Sequence, residues 1–235
     1  MTDRHTLQRG DLCLSVRVEG PVDKPWLLAL HSVATSRAMW DACRPALTRT
    51  HRVLVCDARG HGPSEALTGL YTFDDLVGDL MAALDHSGMA HCDVLGLSTG
   101  GMTALGLALD HPERVDRLVC ANARAAVPPA VAAAWAVRAA ALASGGMAAI
   151  AEETLARWFS AAALAEQPGI VDVARQMILT TKPEGYRGCA AALERLDYQS
   201  QLAGIGAPVL FLAGAADVAA PPAAMAEMAV GTPLG

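Results

Sequence analysis

Aromatic residues make up only 4% of this 235-residue chain and charged residues 18%, while 53% of positions are hydrophobic. With so few rings, the apolar content is mostly small side chains, alanine above all, which favour closely packed helices. A chain this long and this apolar buries most of the surface its unfolded form exposes, which excludes disorder as the dominant state. Basic residues are in deficit: the formal net charge is −6, and binding a phosphate backbone needs a basic face. Nucleic acid is not an expected partner.

A long uninterrupted hydrophobic run is also missing. Residues 1–14 carry Asp3, Arg4, Arg9 and Asp11 and no apolar core of signal-peptide length, so the cytoplasm is the expected compartment. The greasiest stretch, residues 125–151, is broken by Pro128, Pro129, Arg138 and Gly145-Gly146. That is too interrupted for the about 20 apolar residues of a membrane span, so it reads as soluble helices and no membrane partner is expected. Cys13, Cys43, Cys56, Cys92, Cys120 and Cys189 form no C-x-x-C pair and show no ligand spacing, and they read as reduced core thiols. Neither a Cys/His ligand cluster nor a glycine-rich dinucleotide turn is present, so no metal or organic cofactor is expected.

What is there is a regular alternation. Leu12, Leu14, Val16 and Val18 alternate with Cys13, Ser15 and Arg17, the period of a half-exposed strand, which predicts an edge hairpin. Residues 26–30, 53–56, 92–95, 115–121 and 209–213 lack alternation and read as strands buried on both faces. Phe73, Leu76, Val77, Leu80, Met81 and Leu84 carry helical spacing behind Thr72 as N-cap and stop at Gly88. Met102, Leu105 and Leu109 repeat the device, and that helix ends before Pro112. The alternation predicts an α/β fold, a mostly parallel sheet flanked by helices. Between residues 125 and 201 strand signals vanish and alanine-rich helices follow. This predicts a helical cap over the carboxyl edge of the sheet, with core segments 1–124 and 202–235 on either side. A separate helical domain is the other reading, disfavoured because short links return the segment to the sheet it interrupts.

Three loops carry the candidate chemistry. Gly96-Leu97-Ser98-Thr99-Gly100-Gly101 joins a strand to a helix, which is G-x-S-x-G in its strand-turn-helix setting. Small residues on both sides of Ser98 permit a turn sharp enough to lift its hydroxyl above the sheet. The N–H groups that open the helix would stabilise an oxyanion there. Ser98 is the candidate nucleophile; the alternative is a plain tight turn. Leu30-His31-Ser32-Val33-Ala34 follows another buried strand, in the position from which the Val33 N–H donates a second oxyanion bond beside that of Thr99. His31 reads as a core histidine bonded to the loop backbone, and Asp57-Ala58-Arg59-Gly60-His61-Gly62-Pro63-Ser64 as a loop-fixing segment. Gly214-Ala215-Ala216-Asp217 leaves the last strand and meets Pro221-Pro222. Asp217 thus sits where an acid orienting a catalytic histidine is expected, or else it caps the next helix.

Together these segments resemble the α/β-hydrolases, and the chain is similar to the 3-oxoadipate enol-lactonases of aromatic-compound degradation. The likeness includes Ser32-Val33-Ala34-Thr35-Ser36 with Met39-Trp40, the Asp57 and Gly96 segments, Arg157-Trp158-Phe159, Pro183-Glu184-Gly185-Tyr186 with Cys189, and the Asp217 loop. Dienelactone hydrolases place cysteine at the elbow, and dehalogenases and epoxide hydrolases aspartate; Ser98 argues against all three. The resemblance implies a cofactor-independent serine hydrolase that opens a small enol-lactone through an acyl-enzyme on Ser98, with Val33 and Thr99 forming the oxyanion hole. For a lactone bearing a carboxylate, Arg138 with Trp135 on the first cap helix, or Arg124 at its entrance, are candidate binding residues. A solvated arginine and a packing tryptophan are the equal alternative. Family members continue past the acid loop into a helix, a last strand and a loop bearing the triad histidine. Here all seven histidines precede Asp217. The expectation is a sheet without that last strand and helix, and a serine without its general base, giving either an impaired enzyme or a non-catalytic hydrolase-like protein. Poor stability or self-association through the bared edge at residues 209–212 is expected too, unless residues 223–235 fold back over it.

Overall fold

In the computed structural model, which describes residues 3–235, strands β1 (Asp3–Arg9) and β2 (Leu12–Glu19) form the edge hairpin, turning at Gly10 with φ 57°. Strands β3 (Trp26–Leu30), β4 (Arg52–Cys56), β5 (Cys92–Leu97), β6 (Val115–Ala121) and β7 (Val209–Leu212) complete one seven-stranded sheet in the order β1-β2-β4-β3-β5-β6-β7. β2 runs antiparallel to both of its neighbours, and every later pairing is parallel.

The two faces of the sheet build two cores. On β3 and β4, Leu28, Leu30, Leu54 and Cys56 point into the larger one, while Leu27, Ala29, Val53 and Val55 point into a smaller one closed by Trp40, Leu47 and Leu95. Helix α1 (Arg44–Thr50) covers the small core, contributing Leu47. Helices α2 (Phe73–His86) and α3 (Thr99–Asp110) cover the large one. Thr72 starts α2 as a reciprocal cap: its hydroxyl accepts from the Asp75 N–H at 3.1 Å, and the Asp75 carboxylate accepts from the Thr72 N–H at 2.9 Å.

Five helices lie between β6 and β7: α4 (Pro129–Gly145), α5 (Ala148–Trp158), α6 (Ala161–Glu166), α7 (Pro168–Thr180) and α8 (Pro183–Glu194). The chain enters and leaves this insert at one point. Ala126 bridges Asp197, the Val127 N–H donates to Leu196 O at 3.2 Å, and the Tyr198 N–H donates to Ala125 O at 2.6 Å. The insert rests on the loop leaving the carboxyl end of β4. A β-carbon on Gly60 would lie 2.2 Å from Gly185 Cα, so both positions require glycine. Lys182 adds hydrogen bonds from Nζ to the carbonyls of Gly62 and Ser64 at 3.1 and 2.7 Å. None of the described helices is long and apolar enough to cross a membrane.

Two expectations need correction. Burial on both faces is confined to the middle of the sheet. β5 alternates buried and part-exposed residues, β6 exposes Asp116 and Arg117, and on β7 Leu210 and Leu212 are 56% and 46% exposed. Among the described residues β7 ends the sheet, paired with β6 on one side and with no strand on the other. The thiols are not all in the core either: Cys13 is part-exposed on the edge hairpin and Cys43 is exposed just before α1.

Helix α9 (Pro222–Gly231) packs against β7, and the Val209 N–H donates to Leu234 O at 2.9 Å, so the tail covers the start of the edge. Leu210 and Leu212 stay open, an apolar pair of the kind natural edge strands avoid. Association between copies is expected to grow with concentration, and Leu210→Lys is expected to shift sedimentation velocity profiles toward monomer. A parent chain that stays monomeric at every concentration would rule this edge out as an association surface.

Candidate active site

Ser98 lies between β5 and α3 at φ 54°, ψ −118°, a conformation that costs an L-residue roughly 1 to 3 kcal/mol. Glycines make it possible. A β-carbon on Gly96 would come within 2.5 Å of Gly100 O, and one on Gly100 within 2.5 Å of Leu30 O and 2.7 Å of His31 O. The N–H of Ser98 donates to Ala121 O at 2.8 Å, and its carbonyl accepts from the Met102 N–H at 2.9 Å. The turn is therefore held from β6 on one side and from α3 on the other. Ser98 is part-exposed, and among the described residues no side chain caps α3, whose first N–H groups open beside it.

The close approach at Gly100 brings the loop leaving β3 against the start of α3. Val33 and Thr99 line the same cavity, about 40 Å³, with Ser32, His31, His61 and Asp79. Among the described residues the N–H groups of Val33 and Thr99 meet no acceptor. His31 and His61 have both ring nitrogens engaged with loop backbone. The β4 loop is pinned by ion pairs: Arg59 grips buried Asp79 with bonds of 2.6 and 2.8 Å, and buried Asp57 pairs with Arg37.

Asp217 lies on the loop after β7. Its Oδ2 accepts from Asn122 Nδ2 at 2.5 Å and its Oδ1 from the Ala219 and Ala220 N–H groups at 2.7 and 2.9 Å. Asn122, at φ 47° just past the end of β6, is a residue the sequence reading missed. Its signal was faint: a side chain that tolerates left-handed backbone at a strand end. Arg124 donates through Nε to Ala219 O, which ties it to the Asp217 loop.

Trp135 and Arg138 sit together on α4, the guanidinium 5.0 Å from the indole centroid. Two further residues join them. Tyr186 on α8 lies 6.1 Å from Trp135, and Arg157 on α5 is close enough that burial and the charge of Arg138 both pull its pKa down. Among the described residues the buried Nε atoms of Arg138 and Arg157 have no hydrogen-bond partner, while Arg138 approaches Glu153 at 3.6 Å and Arg157 donates from Nη2 to Thr154 Oγ1 at 3.2 Å. Burial pushes the Tyr186 hydroxyl up to about 12. Among the described residues, no three His, Cys, Asp or Glu side chains converge as metal ligands would.

The chain matches the alpha/beta hydrolase fold family over residues 25–233 and belongs to that family. It is 34% identical over 214 residues to 3-oxoadipate enol-lactonase 2 of Acinetobacter baylyi, an alignment spanning 91% of this chain and 79% of that one. The crystal structure of the enol-lactonase from Burkholderia xenovorans LB400 superposes with a TM-score of 0.94 at 33% identity, over 98% of this chain and 88% of that one. A hydrolase from Pseudomonas aeruginosa PA01 does so with a TM-score of 0.94 at 37% identity, over 99% and 88%.

The Gly100 contact gives a direct test. Gly100→Ala forces backbone apart, and it is expected to cost about 2 kcal/mol or more in urea unfolding. Asn122→Ala leaves the sheet intact and is expected to cost less. Equal, small losses for both would mean that α3 is not held by this contact.

Proposed function

We propose that this chain is a serine hydrolase of the enol-lactonase type, opening 3-oxoadipate enol-lactone or a similar small carboxylic ester or lactone through an acyl-enzyme on Ser98. The observation that carries the reading is the strained turn that holds Ser98 at the uncapped start of α3, beside the Val33 loop. Likeness to two enol-lactonases supports the substrate class. The Ser98 hydroxyl attacks the lactone carbonyl, and the tetrahedral oxyanion takes the N–H groups of Thr99 and Val33. Collapse breaks the ring C–O bond and leaves the acyl group on Ser98, and water then releases the acid. No metal or organic cofactor is required by this scheme, and the cytoplasm is its proposed setting.

A base must take the serine proton and return it to the leaving oxygen. Ser98 follows β5 and Asp217 follows β7, two strand spacings away, so the two loops start about 10 Å apart. That gap suits one imidazole and two hydrogen bonds, the arrangement in which Asp217 orients a histidine. The substrate carboxylate is assigned to the Trp135 and Arg138 group, now with Arg157, whose buried unpaired Nε atoms suit an anion. Arg124 would act from the entrance, through the Asp217 loop.

One observation favours a second reading. Among the described residues no histidine hydrogen-bonds Ser98 or Asp217. Without that base the hydroxyl is a weak nucleophile, and turnover falls by ~10⁴ to 10⁶. The chain would then be a hydrolase-like protein that binds such lactones without opening them.

Fluorophosphonate labelling and enol-lactone hydrolysis by the purified chain and by Ser98→Ala separate these readings. Under the first, the chain labels and turns over and the variant does neither. Hydrolysis that survives in a clean Ser98→Ala preparation refutes the nucleophile assignment, and saturable lactone binding with no turnover supports the second reading.

A further inference from the structure

Two buried histidines next to the serine turn hold each other's loops. His31, on the loop leaving β3, accepts at Nε2 from the N–H of Ala58, on the loop leaving β4, at 2.9 Å. His61, on that second loop, accepts at Nε2 from the N–H of Ala34, on the first, at 3.0 Å. A ring nitrogen that accepts an N–H carries no proton, so each neutral ring is protonated at Nδ1. The His31 Nδ1–H donates to Ser32 O at 2.8 Å and the His61 Nδ1–H to Arg59 O at 3.0 Å. The ring centroids are 5.4 Å apart, and the residues are 6% and 0% exposed.

The gripped segment is one that needs gripping. Ala34 has φ 59°, a left-handed conformation that a β-carbon disfavours, and its N–H is the one His61 holds. Val33, the residue before it, lines the cavity shared with Thr99. Neither imidazole has a nitrogen left for a proton relay.

We infer that His31 and His61 form a reciprocal clamp of neutral imidazoles that fixes the Val33 backbone beside Thr99, making them positioning residues and not proton carriers. Its chemical consequence rests on the serine reading above; the clamp itself stands on geometry alone. Protonating either ring removes an acceptor and turns N–H against N–H. Protonating both sets like charges side by side.

The surroundings resist protonation. Burial, opposed by the hydrogen bond to Ser32 and aided by the charge of Arg37, brings His31 down to about 4. Burial, then the neighbouring His31, brings His61 down to about 3; Asp57 opposes that shift and Lys182 adds to it. Asp79 lines the same cavity. An unfolded histidine titrates near about 6.5. Between that value and the folded ones the unfolded chain binds more protons, so this contribution to stability is complete above about pH 6.5 and is lost as pH falls toward about 4 for His31 and about 3 for His61.

Amide hydrogen exchange and ¹⁵N ring spectra on the whole chain test the clamp. His61→Ala is expected to speed exchange at Ala34 roughly tenfold. His61→Gln, whose Oε1 can accept the same N–H, is expected to recover most of that protection. Unchanged exchange in His61→Ala, or a glutamine no better than alanine, overturns the clamp. In the unaltered chain both rings should be singly protonated, at Nδ1, at about pH 5.5; a doubly protonated ring there overturns it even if the variants fail to fold. Fluorophosphonate labelling of Ser98 is expected to slow about tenfold in His61→Ala and to recover in His61→Gln. Labelling unchanged while exchange speeds up overturns the positioning role. A parent chain that takes up no label refutes the serine reading instead, and exchange and ring spectra then decide the clamp.

Discussion

The carboxyl edge of this sheet is organised by one contact, the packing of Gly100 in the first turn of α3 against the carbonyls of Leu30 and His31. Because nothing larger than hydrogen fits there, the helix start sits directly on the loop leaving β3. That juxtaposition makes Val33 and Thr99 line one cavity and turns Ser98 out at its strained angles. Gly96 serves the same approach from the strand side, which is why small residues are needed both before and after the serine. The strain at Ser98 persists because β6, through Ala121, and α3, through Met102, hold its backbone from both sides.

The parts of this architecture that were legible in the sequence are those specified by neighbours along the chain. Strand and helix periods, the Thr72 cap with its Gly88 stop, and the small-residue pattern around Ser98 each lie within one element and its flanking turns. What could not be read lies between distant segments. Asn122 meets Asp217 from 95 positions away, and His61 meets Ala34 from 27. Arg157 joins Arg138 only because two separate helices pack. The rim position of β7 follows from strand order, which local hydrophobicity does not encode and only the family resemblance anticipated: Val209, Leu210, Phe211 and Leu212 are as apolar as β3 or β4, yet one lies at the rim and the others in the middle.

Charge is used differently in the core and in the insert. Around the β4 loop, buried ions are matched: Arg59 with Asp79, and Arg37 with Asp57, each carboxylate almost free of solvent. Such pairs fix geometry at some cost in desolvation. In the insert, the buried Nε atoms of Arg138 and Arg157 lack a hydrogen-bond partner among the described residues, and Arg138 lies over Trp135 with Glu153 at 3.6 Å. The same side chain is thus a brace in one layer and a loosely held cation in the other.

The meeting of Ala126 with Asp197 has a consequence for how such a chain can change over generations. The excursion from residue 126 to 197 begins and ends at one antiparallel bridge, so its length and helix content are geometrically uncoupled from strand spacing in the sheet. Closing a longer or shorter excursion at that point changes the closure entropy only by the logarithm of its length. Substitutions and insertions in α4 to α7 can therefore reshape the insert while the sheet and the turn at Ser98 stay in register. Only α8, bound to the core by the Gly60–Gly185 contact and by Lys182, is excluded from that freedom. The divergence of ligand preference among chains of this build is expected to be concentrated in the four preceding helices.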